Sequence, residues 1–158
     1  MFFAAIDNED YKLLFQFLLL TGCRRGEAIK LAWDDIDLEN KKIVFRQTKS
    51  GNDRVIPISL ELMQIVMALD RIKSKPFPYH PDWLTHLFKK YLKRSGIEKD
   101  FHLHCLRHTA ATDLVRQRIP LTQIKDFLGH SSVKVTEIYT HSLPEDLQQV
   151  AEALTCVG

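Results

Sequence analysis

WDDIDLENKKIVFRQTKSGNDRVIPI, residues 33–58, is where the periodicity of the chain changes. WDDIDL, KIVFRQ and RVIPI are short β-prone runs, split by Glu39-Asn40 and by the turn-forming TKSGND. They predict a small three-stranded antiparallel sheet. On the N-terminal side, residues 7–20 read as a buried helix opened by Asp7 or Asn8 and ended by Gly22, and a second helix spans about residues 24–32. On the C-terminal side, helical patterns cover about residues 60–70, 82–95, 104–118, 121–128, 132–141 and 145–154, punctuated by Pro, Gly or Ser. The fold class is therefore mainly α with a small three-stranded antiparallel β-sheet (α+β).

Composition bounds the function. A chain of 158 residues, 45% hydrophobic and 27% charged, suits one globular domain with a sizeable core. Cys23, Cys105 and Cys156 are odd in number and have no metal-ligand spacing, so neither a disulfide framework nor a zinc ribbon is expected. LLFQFLLL is too short to span a bilayer, and the first residues lack a secretory pattern; no membrane partner and a cytoplasmic location are expected. The net charge is only +2, but it is segregated: residues 71–99 hold eight Lys or Arg against Asp82 and Glu98. Residues 143–158 carry only negative charge. Such segregation suits a polyanion-binding face with an acidic back, although a solvated lysine-rich helix would look the same.

Four stretches carry candidate chemistry. In TGCRRGE, Gly22 turns the chain so that Arg24 opens a helix, with Glu27 placed to orient it or to cap. In RQTKSGNDR, Lys49 lies at the tip of a hairpin, where it is either solvated or a mobile proton donor. HLHCLRH places His104 and His108 at metal-ligand spacing, but Arg107 on the same face would repel a cation. His104 and Arg107 instead suit one oxyanion, and no metal is expected. In LGHSSVKVTEIYTH, Gly129 should end a helix, leaving His130 between two helices. Tyr139 there shares helical spacing with Val135 and Ile138, as a core aromatic would. The segment from Pro120 also has the spacing of a helix-turn-helix.

Taken in order, TGCR, TKSG, HCLRH, LGHSS and IYTH closely resemble the motif series of the tyrosine recombinase (phage integrase) family over residues 21–141. The resemblance implies six catalytic residues: Arg24, Lys49, His104, Arg107, His130 and the nucleophile Tyr139. It implies a site-specific recombinase that breaks and rejoins DNA strands through a 3′-phosphotyrosyl intermediate without metal or cofactor. Residues 1–158 are then a single catalytic domain, without the N-terminal DNA-clamping domain usual in the family. The expected partners are double-stranded DNA, held by Arg25, Lys89, Lys90, Lys93 and Arg94 besides the catalytic cations, and further protomers. The contact between protomers would run through a C-terminal helix whose stripe is Leu147, Val150, Ala151 and Leu154. The alternatives are a non-catalytic helix-turn-helix module and relaxation alone, as in the related type IB topoisomerases.

Overall fold

The computed structural model describes residues 2–46 and 51–138, which form seven α-helices around one small sheet. Helix α1 (Glu9–Thr21) starts at Asn8, whose side chain accepts the Tyr11 amide at 3.1 Å, and carries Glu9 and Asp10 in its first turn, where the helix dipole favours them. Leu13, Leu14, Phe15, Phe17 and Leu18 bury it from several sides. It stops at Gly22, whose φ of +56° is open to glycine at little cost. Helix α2 (Arg25–Lys30) follows at once.

The expected helix over 24–32 and strand over 33–38 are both shorter than their patterns suggest. Residues Trp33–Asp35 wind into a 3-10 turn, because the buried Asp35 carboxylate accepts the Ala32 amide at 3.0 Å. Only Ile36–Asp37 pair as strand β1. The turn to strand β2 (Lys42–Phe45) is held by Asp37, which accepts both the backbone and side-chain N–H groups of Asn40 at 2.8 Å. Strand β3 (Arg54–Pro57) pairs antiparallel with β2 from Lys42↔Pro57 to Phe45↔Arg54, in sheet order β1-β2-β3. Ile43, Phe45 and Ile56 point inward while Val55 points out.

Four of the remaining helices follow the sequence expectation closely: α3 (Leu60–Ala68), α4 (Pro81–Arg94), α5 (Cys105–Arg116) and α6 (Leu121–Leu128). Ser59 caps α3 by accepting the Leu62 amide, and Pro81 opens α4, where its missing N–H costs nothing. Helix α7 (Val133–Glu137) is described to its C-cap, Ile138. On it Thr136 is buried, whereas Val135 and Ile138 are exposed, so these two residues do not form the buried stripe suggested by their spacing. The expected helix over 145–154, with its apolar stripe, lies outside the described residues. No described helix is long and apolar enough to cross a membrane.

Packing divides into a large core on α1, the sheet, α3 and α4, and a small cluster of Ala111, Ile124 and Leu128 on α5 and α6. The seam between them is tight at Gly22, where an added Cβ would stand 2.3 Å from Leu128 Cδ2 and 3.6 Å from Ala110 Cβ. Gly22→Ala is therefore expected to cost about 2–4 kcal/mol, the sum of a left-handed backbone penalty and overpacking. Gly26→Ala, inside α2 with nothing within 4 Å of the new methyl, should instead gain roughly 0.5–1 kcal/mol. Urea unfolding of the two variants measures both, and equal effects would contradict this reading of the seam.

Candidate active site

Arg24 precedes α2 as its N-cap residue, and Glu27 of that helix closes back on it. Glu27 reaches back so that Oε2 accepts the Arg24 amide at 2.7 Å, while Oε1 accepts Arg24 Nη1 at 3.0 Å. Glu27 thus takes the Arg24 amide and orients the Arg24 guanidinium with the same carboxylate. Arg24 Nη2 also reaches the Gly129 carbonyl at 3.4 Å, across the chain from α6.

Helix α5 delivers the second cation. Arg107 is only 3% exposed; its Nη1 donates to the Gly22 carbonyl at 2.6 Å, and its Nη2 has no hydrogen-bond partner among the described residues. Burial, then the neighbouring Arg24 charge, lower its pKa to about 10, so it remains cationic at neutral pH. His104 is the N-cap of α5, and its carbonyl accepts the Arg107 and His108 amides. Its ring meets His108 edge-on at 4.8 Å. Partial burial and the His108 and Arg107 charges push the His104 imidazole below its ordinary range.

The third segment is the turn between α6 and α7. Gly129 takes φ +70°, and the buried His130 follows with Nδ1 2.9 Å from Thr136 Oγ1. Burial and the charges of Arg107, Arg24 and Arg54 hold His130 down at about 4, so it is neutral at pH 7.

Arg24, Arg107 and His104 line one cleft of about 380 Å³ together with Cys23, Arg25 and Thr85. His130 stands in the adjoining groove with Arg54 and Gly129, joined to the cleft through the Arg24 contact to Gly129. Four of the six catalytic candidates are thus brought together from three separate segments; Lys49 and Tyr139 lie outside the described residues. Arg25 is anchored by Thr85 Oγ1 at 2.6 Å and the Pro81 carbonyl at 3.1 Å. None of the four α4 cations lines the cleft. Lys89 pairs with Asp100, Arg94 with Asp7, Lys90 lies 5.5 Å from the Tyr91 ring centre, and Lys93 borders a separate groove. No group of three metal-ligating side chains occurs among the described residues.

The other three tyrosines sit elsewhere. Tyr11 and Tyr79 pack with Trp83, and the buried Tyr91 donates to Asp7 at 2.7 Å, which raises its phenol to about 12. Sequence reasoning missed Arg54 and Thr136. Arg54 has a legible signal, since strand alternation places it on the same inward face as Ile56. Thr136 has none, because its role depends on the turn that brings His130 back to it.

Comparison with known proteins gives the family and the fold. The model of the phage integrase family matches residues 2–146. The tyrosine recombinase XerA of Saccharolobus solfataricus is 36% identical over 87% of this chain and 47% of its own length. The catalytic domain of bacteriophage HP1 integrase superposes with a TM-score of 0.74 at 30% identity, over 96% of this chain and 88% of that one. The Tn1549 transposon integrase, in complex with transposon right end DNA, shares the fold with a TM-score of 0.82 at 19% identity, over 96% of this chain and 62% of that one. The chain spans about half the length of the curated relatives it matches.

The buried neutral histidine links stability to pH. His130 has an ordinary pKa of 6.5 when unfolded and about 4 when folded. As pH falls through this interval the unfolded chain takes up a proton that the folded chain refuses, so stability is full above about 6.5 and declines towards about 4. His104 acts in the same direction. In urea unfolding at pH 4 to 7, His130→Gln should show a visibly shallower decline than the unmodified chain. Identical slopes would contradict the burial of a neutral ring.

Proposed function

Because this chain belongs to the phage integrase family, we propose that it is the catalytic domain of a site-specific DNA recombinase. Its reaction breaks and rejoins duplex strands through a 3′-phosphotyrosyl intermediate on Tyr139. The observation that carries this reading is the buried Arg107, whose Nη2 has no partner among the described residues, set in one cleft with Arg24 and His104. A desolvated, preorganised cation pair of this kind suits a phosphodiester whose non-bridging oxygens gain charge as phosphorus becomes five-coordinate.

A tyrosine hydroxyl with pKa near 10 is only about 0.1% ionised at pH 7, so attack needs a proton acceptor and a cationic pocket. His104, its pKa lowered, is a suitable acceptor at the cleft. A neutral His130 whose Nδ1 accepts from the Thr136 hydroxyl would carry its proton on Nε2 and donate it to a phosphate oxygen. The 5′ oxygen needs a proton to leave, and Lys49 is assigned that role. The phosphotyrosyl bond keeps the energy of the phosphodiester, so rejoining needs no nucleotide and no metal. The partner is double-stranded DNA, as in the relative bound to transposon DNA. Arg25 and the α4 cations Lys89, Lys90, Lys93 and Arg94 are assigned to its backbone, and further protomers to the segment after Tyr139, in the cytoplasm. A helix-turn-helix module alone would have no use for the arginine cleft. One-site and two-site DNA distinguish strand exchange from relaxation.

The test is covalent trapping on a library of nicked duplexes of randomised sequence, where loss of the short released strand blocks rejoining. Tyr139→Phe should form no adduct while retaining DNA affinity. Arg24→Ala and Arg107→Ala should each slow trapping by roughly two to three orders of magnitude. Lys49→Ala should regain its rate on a substrate whose leaving oxygen is sulfur, and a chelator should change nothing. Undiminished trapping by Arg107→Ala would overturn the assignment. DNA affinity should also fall with salt at a log-log slope of about −0.9 per phosphate neutralised, and an affinity insensitive to salt would exclude backbone binding.

A further inference from the structure

Arg54 is a charged side chain that none of the six catalytic roles uses, and it is 6% exposed. Its guanidinium has three anchors on three different segments. Nη2 donates to Glu27 Oε2 at 2.8 Å on α2, Nη1 donates to the Phe127 carbonyl at the end of α6, and Cζ stands 4.5 Å from the ring centre of its cross-strand partner Phe45. Gly129 lies directly against it: a Cβ there would stand 2.8 Å from Arg54 Cδ and 3.0 Å from Nε. The glycine before His130 is thus required twice, for its φ of +70° and for the close approach of the arginine.

We propose that Arg54 is a positioning residue that clamps the α6–α7 turn onto Glu27, and so sets His130 and Arg24 against the same phosphate. Glu27 is the shared element: one carboxylate orients Arg24 through Oε1 and holds Arg54 through Oε2. Arg54 in turn holds Phe127, three residues before His130, while Arg24 touches the Gly129 carbonyl from the other side. Without the clamp the small α5–α6 cluster still packs against Gly22, but the turn keeps only the long Arg24 contact to the Gly129 carbonyl, at 3.4 Å, as its polar tie to the start of α2. A buried guanidinium costs desolvation, and its Nε has no hydrogen-bond partner among the described residues. An apolar residue would fill that space at lower cost, so the fork geometry is the property retained.

Arg54→Lys tests this because it keeps the charge and loses the fork: an ammonium reaches Glu27 or the Phe127 carbonyl, not both. The first readout is the NMR titration of the His130 ring, which does not depend on activity. In the unmodified chain the ring is expected to titrate near 4; in folded Arg54→Lys it should rise by a unit or more as the turn loosens and hydrates, although the local charge is unchanged. The second readout rests on the proposed strand cleavage: trapping at saturating DNA should slow by 10- to 100-fold, with half-saturation within about threefold. Should Arg54→Lys fail to fold, Phe45→Leu removes only the ring beneath the guanidinium, and a smaller rise at His130 is expected. A folded variant whose His130 titrates as in the unmodified chain overturns the proposal, as does a trapping rate left unchanged. If the unmodified chain forms no adduct at all, the recombinase reading fails, while the His130 titration still decides the role of Arg54.

Discussion

The Glu27 carboxylate is the interaction on which the described site depends. Its side chain is 8% exposed and lies between Arg24 and Arg54, accepting from both guanidinium groups and from the Arg24 backbone. One acidic residue thereby closes the start of α2, fixes the direction of a cleft cation and ties the helix to β3. Removing it would leave two buried or half-buried guanidinium groups without their counter-ion, which is among the more destabilising changes available to a small domain.

The surrounding electrostatics are deliberately incomplete. Arg107 meets a backbone carbonyl on one side and has no described partner on the other; among the described residues no carboxylate lines the arginine cleft, and Asp53 and Asp126 are the carboxylates that line the groove of Arg54. Burial lowers the pKa of His104, His130 and Arg107, so the cleft holds its positive charge at some cost in stability. The phosphodiester proposed as substrate would supply an anion there. On the proposed function the site would be less stable than it could be in isolation and best satisfied with DNA bound, an exchange of stability for function.

Much of the architecture was legible because its causes are local. Asn8 and Gly22 bound α1 through a cap and a left-handed turn, and alternation in KIVF and RVIP marks two strands. Trp33–Asp35 was misread as strand because Asp35 bonds back to Ala32, a side-chain choice that competes with pairing. Arg24, His104, Arg107 and His130 were legible as motifs, and the spacing of Arg24 and Glu27 left orienting and capping as alternatives, both of which Glu27 performs. That Glu27 also holds Arg54 was not, since 27 residues separate them and only the sheet brings them together. The basic character of α4 was visible in composition, but its partners Asp7 and Asp100 were not, because those pairs arise from tertiary packing.

The chain has four tyrosines, and the structure places Tyr11, Tyr79 and Tyr91 away from the arginine cleft. Proteolysis of the trapped DNA adduct followed by peptide mass spectrometry identifies the attacking residue directly. The account requires the nucleotide remnant, linked through its 3′ phosphate, on the peptide containing Tyr139. A remnant on Tyr11, Tyr79 or Tyr91 would contradict it.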